Sequence, residues 1–211
     1  MFGALLLDLD DTLFDRRAAF VRWAEATAMA QLGRGLEPAE LAVLHELDGR
    51  GHRSREAFAR DARERLGLAI DPGRIGLAIA EHVEPEPGSR EALAALAETH
   101  RIAVVTNGGG AGQRAKLARL GLADVVHAVF VSGEVGIAKP AAGIFERALR
   151  WTEHAARDVL FVGDDPVIDL APASAMGMVT AWRVRDVRWP DELVAPGHRI
   201  ERVTDLVGVC A

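Results

Sequence analysis

Acids, a hydroxyl, a glycine-rich turn and a lysine recur in this chain directly after short apolar runs, and that placement is where chemistry can be read first. The run Asp8-Leu9-Asp10-Asp11-Thr12 comes earliest. Residues two apart on an extended backbone project to the same side, so Asp8 and Asp10 can face one site. Two close carboxylates repel, which raises a pKa or calls for a cation. A hard divalent ion such as Mg²⁺ meets that need with oxygen ligands and suits a phosphate-bearing substrate. Taken alone, the same run also fits a solvated turn or a helix cap.

Thr106-Asn107-Gly108-Gly109-Gly110 is the second run. A hydroxyl, an amide and free backbone N–H groups ahead of a helix make a cradle for a phosphoryl group, although a plain flexible turn fits equally well. The chain's only asparagine sits here. The third run is Lys139-Pro140, in a chain where only Lys116 and Lys139 of 25 basic residues are lysine. A compact ammonium can touch a carboxylate and a phosphoryl oxygen together, but a lone loop lysine is more simply an exposed one. In the fourth, Gly163-Asp164-Asp165-Pro166-Val167-Ile168-Asp169, Asp164 can complete a metal shell and Asp169 can orient Lys139 or a metal-bound water. An aspartate of this run can also cap the next helix.

The elements that must hold these runs follow from hydrophobic pattern. Ala4 to Leu7, Ile102 to Val105, Ala128 to Val131 and Val159 to Val162 read as buried parallel strands. Helical periodicity covers Gln113 to Leu120 and Ala142 to Trp151, and another helix is expected after Asp169 up to Met176. Alternation of this kind predicts an α/β fold, a doubly wound parallel sheet with ligands bound beyond the carboxyl ends of its strands. Residues 15–87 break the rhythm with amphipathic stretches at Ala18 to Leu32, Ala39 to Leu47, Glu56 to Leu66 and Ile75 to Val83, and so read as a helical insertion. Glu84-Pro85-Glu86-Pro87-Gly88 suits a stiff hinge, with Ser89 expected to cap a helix running to Glu98. A last strand near Arg199 to Val203 is expected to close the sheet edge, and Cys210 reads as a tail residue.

Together the four runs resemble, in order and spacing, the signature motifs of the haloacid dehalogenase superfamily, in the phosphatase branch whose helical cap lies between motifs one and two. The resemblance implies a Rossmann-like core of residues 1–14 and 88–211 with a cap of residues 15–87. It implies Asp8 as nucleophile and metal ligand, and Asp10 as acid and base whose backbone carbonyl also meets Mg²⁺. Thr106 with the Asn107 and Gly108 amides would hold phosphoryl oxygens, and Lys139 would neutralise charge. Asp164 would ligate the metal, with Asp169 behind it and Thr12 supporting the loop. The function implied is a Mg²⁺-dependent phosphatase acting on a small phosphorylated metabolite, a nucleoside monophosphate or a sugar phosphate, through an aspartyl-phosphate.

Other readings separate on particular residues. Dehalogenases of the superfamily lack the second aspartate, so Asp10 argues against that chemistry. Phosphonate hydrolases need a cap lysine, and residues 15–87 contain none. A phosphosugar mutase shares the Asp8 and Asp10 chemistry and stays open. A phospho-acceptor signalling module has its phosphorylated aspartate after the third strand, where Ser132 stands here, and a non-catalytic binding member of the family is disfavoured because every chemical position is filled. A net charge of −6 gives no basic footprint for a nucleic acid polymer. Phe2 to Leu7 lacks a basic leader and a cleavage site, no run approaches membrane-spanning length, and one cysteine allows no internal disulfide, so a cytoplasmic monomer or homodimer is expected. His45, His52, Arg53 and Arg55 could meet an anionic or nucleoside group but more often such residues form a solvated helix face. Trp23, at helical spacing, reads as core.

Overall fold

The computed structural model describes residues 2–211. Six parallel strands form one sheet: β1 (Ala4–Leu7), β2 (Arg101–Thr106), β3 (Ala128–Val131), β4 (Val159–Gly163), β5 (Val179–Arg183) and β6 (His198–Ile200), in the order β3-β2-β1-β4-β5-β6. The chain winds outward from β1 through β2 to β3, then returns to β4 on the other side of β1. That reversal opens a crevice beyond the carboxyl ends of β1, β2 and β4. Asp8, Thr106 and Asp164 are the residues at those ends or next to them.

Near-continuous apolar strands are required here because both faces of the sheet are covered. Leu5, Leu7, Ile102, Val104, Leu160 and Val162 feed one core, while Ala4, Leu6, Ala103, Val105, Val159 and Phe161 feed the other. Helices α1 (Arg16–Leu32), α2 (Pro38–Asp48), α3 (Arg55–Leu66) and α4 (Ile75–Ala80) lie between β1 and β2, a segment without a strand. They are followed by α5 (Ser89–Ala97), α6 (Gly110–Arg119), α7 (Ser132–Val135), α8 (Ala142–Thr152), α9 (Ala171–Ala175) and α10 (Leu206–Cys210). Side chains of α5, α6 and α10 share the first core with Phe20, Trp23 and Phe58 of α1 and α3, and α8 and α9 cover the second.

Local chemistry sets the helix ends. The Asp15 carboxylate accepts from the Ala18 amide at 2.7 Å and starts α1, and Gly33, at φ 71°, stops it. Helix α4 meets α6 through two glycines: a Cβ on Gly112 would lie 3.1 Å from backbone atoms of Gly76. Arg16 and Asp48, both buried, join α1 to the end of α2 by two hydrogen bonds of 2.7 and 2.9 Å, and Arg55 adds a third to Asp48 at 2.8 Å.

Some expectations change. Ser89 is not the cap of α5: Gly88, at φ 78°, takes that position and Ser89 is buried as the first helical residue. The helix after Asp169 begins earlier, as a single π turn over Pro166–Leu170, with the Asp165 carboxylate capping it through the Val167 and Ile168 amides. Cys210 is no loose tail but a buried member of the first core. Strand β5 was not expected; its Thr180 and Arg183 interrupt the apolar pattern, and buried Arg183 is held by Glu86.

Removing one partner of a buried ion pair strands the other, at about 3–5 kcal/mol. Asp48→Ala, which strands Arg16, is therefore expected to lower the unfolding free energy by about that amount in urea titration. A loss under about 1 kcal/mol, the level of an exposed pair, would contradict this account of how α1 and α2 are joined.

Candidate active site

The four runs converge on one cavity of about 740 Å³ at the crevice, lined among others by Asp8, Asp10, Thr106, Asn107, Gly108, Lys139, Asp164 and Asp169. Thr12 lies beside it, donating its hydroxyl to Asp8 Oδ2 at 3.1 Å. Asp8 leaves β1 with its amide still paired to Val162 O at 2.8 Å, which fixes its carboxylate at the switch point. Lys139 Nζ lies 2.6 Å from Asp8 Oδ1 and 2.6 Å from Asp169 Oδ1, bridging two buried acids. Gly163 permits this approach, since a Cβ there would fall 2.6 Å from the Asp169 side chain.

Asparagine at 107 has a specific use. Its Nδ2 donates to Lys139 O at 2.9 Å and its Oδ1 accepts from Lys139 N at 2.8 Å, so both sides of the amide grip one residue's backbone. The Gly108 amide donates to Ser132 Oγ at 3.0 Å, and Gly108 itself stands at φ 140°, where a side chain is disfavoured. In this conformation the Asn107 side chain therefore positions the lysine loop, and the Gly108 amide is already engaged.

Electrostatics at the crevice are crowded. Burial, opposed by Lys139 but reinforced by Asp169, pushes the Asp8 carboxyl up to about 7. Burial and the neighbouring Asp8 and Asp169 push Asp164 to about 9. For Lys139 burial works against the charge, yet Asp169 and Asp8 hold its pKa above the ordinary lysine value. Asp8, Asp164 and Asp169 each offer a carboxylate oxygen within 4.8 Å of the others, and all three are buried. Lys139 and the part-exposed Arg50 on Asp164 still leave three such carboxylates one positive charge short, and an all-oxygen donor set fits a hard cation such as Mg²⁺. The Asp10 carboxylate is not in this group, because it is turned to Lys116.

Three basic residues at the cavity escaped the sequence reading. Lys116 is 2.6 Å from Asp10 Oδ1, and Arg16 Nε is 3.9 Å from the same atom. Burial raises the Asp10 pKa, but Lys116 and Arg16 outweigh it and hold the carboxyl below its ordinary value. Arg50, between α2 and α3 at φ 55°, reaches Asp164 Oδ2 at 2.7 Å. Rarity alone marked Lys116, whereas nothing in an arginine-rich chain distinguishes Arg16 or Arg50. His52, Arg53 and Arg55 line the cavity, with Arg53 paired to Asp61 and Arg55 to Asp48; His45 stacks instead on Phe20 at 5.3 Å.

The raised Asp8 and Asp164 values give a sign for pH dependence. Between the ordinary 3.8 and about 9 the folded, metal-free protein holds protons that the unfolded chain has released. Stability is then greatest at the acid end of that interval and falls as pH rises through about 7 and about 9. Urea midpoints measured in EDTA across this range are expected to decline, and saturating Mg²⁺ is expected to flatten the decline. A rising profile in EDTA would contradict the crowding described.

The chain is similar to known proteins over most of its length. The family of haloacid dehalogenase-like hydrolases matches residues 5–183. Pyrimidine 5'-nucleotidase YjjG of Escherichia coli is 33% identical over 144 residues, 66% of this chain and 64% of the nucleotidase, so the chain spans a little under two thirds of that relative. Phosphoserine phosphatase of Thermus thermophilus is 34% identical over 190 residues, 88% of this chain and 76% of the relative. Among solved structures, the magnesium-bound hydrolase YfnB of Bacillus subtilis has a TM-score of 0.80 at 21% identity, covering 99% of this chain and 98% of its own, a likeness of fold. With the match running from the second residue of β1 to the last residue of β5, the chain belongs to the haloacid dehalogenase-like hydrolase family.

Proposed function

We propose that the protein is a Mg²⁺-dependent phosphatase that hydrolyses a small phosphorylated metabolite, a nucleoside monophosphate or a sugar phosphate, through an aspartyl-phosphate on Asp8. The observation that carries this reading is a pair of carboxylates two residues apart held by separate cations, Asp8 by Lys139 at 2.6 Å and Asp10 by Lys116 at 2.6 Å. This pairing supports a reading in which Asp8 attacks and Asp10 moves protons.

Asp8 attacks phosphorus, which divides a difficult hydrolysis into two steps. Asp10 receives a proton from the monoprotonated ester, passes it to the leaving oxygen, and then takes one from the water that breaks the acyl phosphate. Lys139 offsets charge on Asp8 and on the phosphoryl oxygens, and Thr106 with the backbone amides of Asn107 and, once it leaves Ser132 Oγ, of Gly108 receives those oxygens. Asp8, Asp164 and the Asp10 backbone carbonyl would hold Mg²⁺, with Asp169 acting on Lys139 from behind. When bound, the ion supplies charge neutralisation for the phosphoryl group.

Residues 15–87 serve in this reading as a cap that shuts water out, turning near Asp15 and Pro85 to Gly88. A cavity of about 740 Å³ matches a metabolite-sized ligand, and the relatives' names, a nucleotidase and a phosphoserine phosphatase, support a small phosphate ester as substrate. No helix among the described residues is long and apolar enough to cross a membrane; a cytoplasmic setting is part of the proposal.

Phosphate release from p-nitrophenyl phosphate and a panel of nucleotides, phosphoserine and sugar phosphates tests this directly. Release is expected to need Mg²⁺, to stop in EDTA, and to fall at least about a thousandfold in folded Asp8→Asn. Activity surviving in that variant would overturn the aspartyl-phosphate. Arg50 shares Asp164 with the proposed ion and is partly exposed, so the pair is worth about 1 kcal/mol at most. Arg50→Ala is expected to bind Mg²⁺ up to about fivefold more tightly by calorimetry; weaker binding would show that Arg50 does not compete there.

A further inference from the structure

Lys116 belongs to none of the four runs, yet its side chain is only 6% exposed in the middle of α6. Each of its three ammonium hydrogens has an acceptor: Asp10 Oδ1 at 2.6 Å, Asp10 Oδ2 at 2.9 Å and Gln113 Oε1 at 2.7 Å. The Phe14 ring, its centroid 5.9 Å from Nζ, covers the apolar side. Gln113 is buried three residues earlier, hence on the same face of α6. Its Nε2 lies 2.8 Å from Asp10 Oδ2 and 2.6 Å from Thr106 Oγ1, so one amide joins the carboxylate to the hydroxyl of the phosphoryl cradle.

Stability does not account for this cluster. A buried lysine and carboxylate gain little over an apolar pair of the same volume, and α6 already packs through Leu117 and Leu120. Nor would the chain's usual cation serve, because a guanidinium brings five donors in a planar fork to a place with three acceptors. We infer that Lys116 and Gln113 are positioning residues that fix the Asp10 carboxyl beside the cradle for proton delivery to the departing oxygen. The inference rests on the phosphatase reading above. In the step concerned, Asp10 takes the proton of the monoprotonated phosphate ester as it binds, the bond from Asp8 oxygen to phosphorus forms, the ester P–O bond breaks, and that proton ends on the leaving alcohol. Helix α6 starts at Gly110, so the glycine turn and both positioning side chains ride on one element.

A proton donor matters most when the leaving group is a poor one, so loss of its positioning is read in the dependence on leaving group. The experiment compares kcat/KM for p-nitrophenyl phosphate with that for the best alkyl phosphate of the panel, in wild type, Lys116→Met and Gln113→Leu. The variants are expected to lose about tenfold or more beyond their p-nitrophenyl phosphate loss when the ester is alkyl. Equal losses on both esters in a folded variant, or no loss on either, would overturn the inference. Gln113→Leu keeps the cation and carries the test if Lys116→Met does not fold. Absence of phosphate release by wild type would fail the phosphatase reading instead. A crystal structure of either variant would then decide the positioning alone: Asp10 displaced supports it, and Asp10 unmoved overturns it.

Discussion

Lys139, lying 2.6 Å from both Asp8 and Asp169, is the interaction on which the rest of the crevice depends. Three buried carboxylates within 4.8 Å of one another repel, and even with this ammonium beside them burial raises the pKa of each. Much of the surrounding covalent pattern follows from that ammonium. Asn107 spends its whole amide on the Lys139 peptide, Gly163 has no Cβ because Asp169 must come close, and β1 ends where Asp8 can meet both. The topology is what allows it, since only the reversal beside β1 brings the ends of β2 and β4 to the same opening.

The parts of this arrangement visible in the sequence were those written in local pattern. Apolar runs ending in Asp8, Thr106 and Asp164 located three strands and their rim, and glycine with the lone asparagine located the turn after β2. Strand β5 was hidden because Thr180 and Arg183 are polar yet buried, and the side-chain partner of Arg183, Glu86, lies 97 residues away. Arg16 and Arg50 were hidden for a related reason. Their meaning lies in contacts 32 and 114 residues away, with Asp48 and Asp164, and no spacing rule spans such distances. Ser89 shows the opposite error, a good capping residue displaced by a glycine one position earlier whose positive φ suits the turn.

The two lysines carry this contrast furthest. In a chain that uses arginine for almost every positive charge, each lysine is buried against a carboxylate of the first run, one on Asp8 and one on Asp10. Arginine suits exposed and bidentate pairs, as at Arg34 with Glu40 and Arg90 with Asp124, where a planar fork meets a carboxylate in solvent. A compact ammonium suits a closed space with few acceptors that must also admit a third group. Composition alone therefore held a statement about the site, but only as rarity; the identity of each lysine's partner needed the fold.

The helices between β1 and β2 answer the same excess of negative charge from the other side of the cavity. Arg16 of α1 stands 3.9 Å from Asp10 while bound to Asp48, and Arg50 stands on Asp164. These contacts differ in kind. Arg16 is anchored by two short bonds inside its own helical segment, so its distance to Asp10 is set by how that segment lies on the core. Arg50 has no comparable anchor and is 45% exposed at the side chain, so it can leave Asp164 without disturbing a helix. In the phosphatase reading proposed above, a cation arriving at Asp164 would displace a side chain and not a helix, and the guanidinium released at the cavity wall would be compensated best by an anionic ligand.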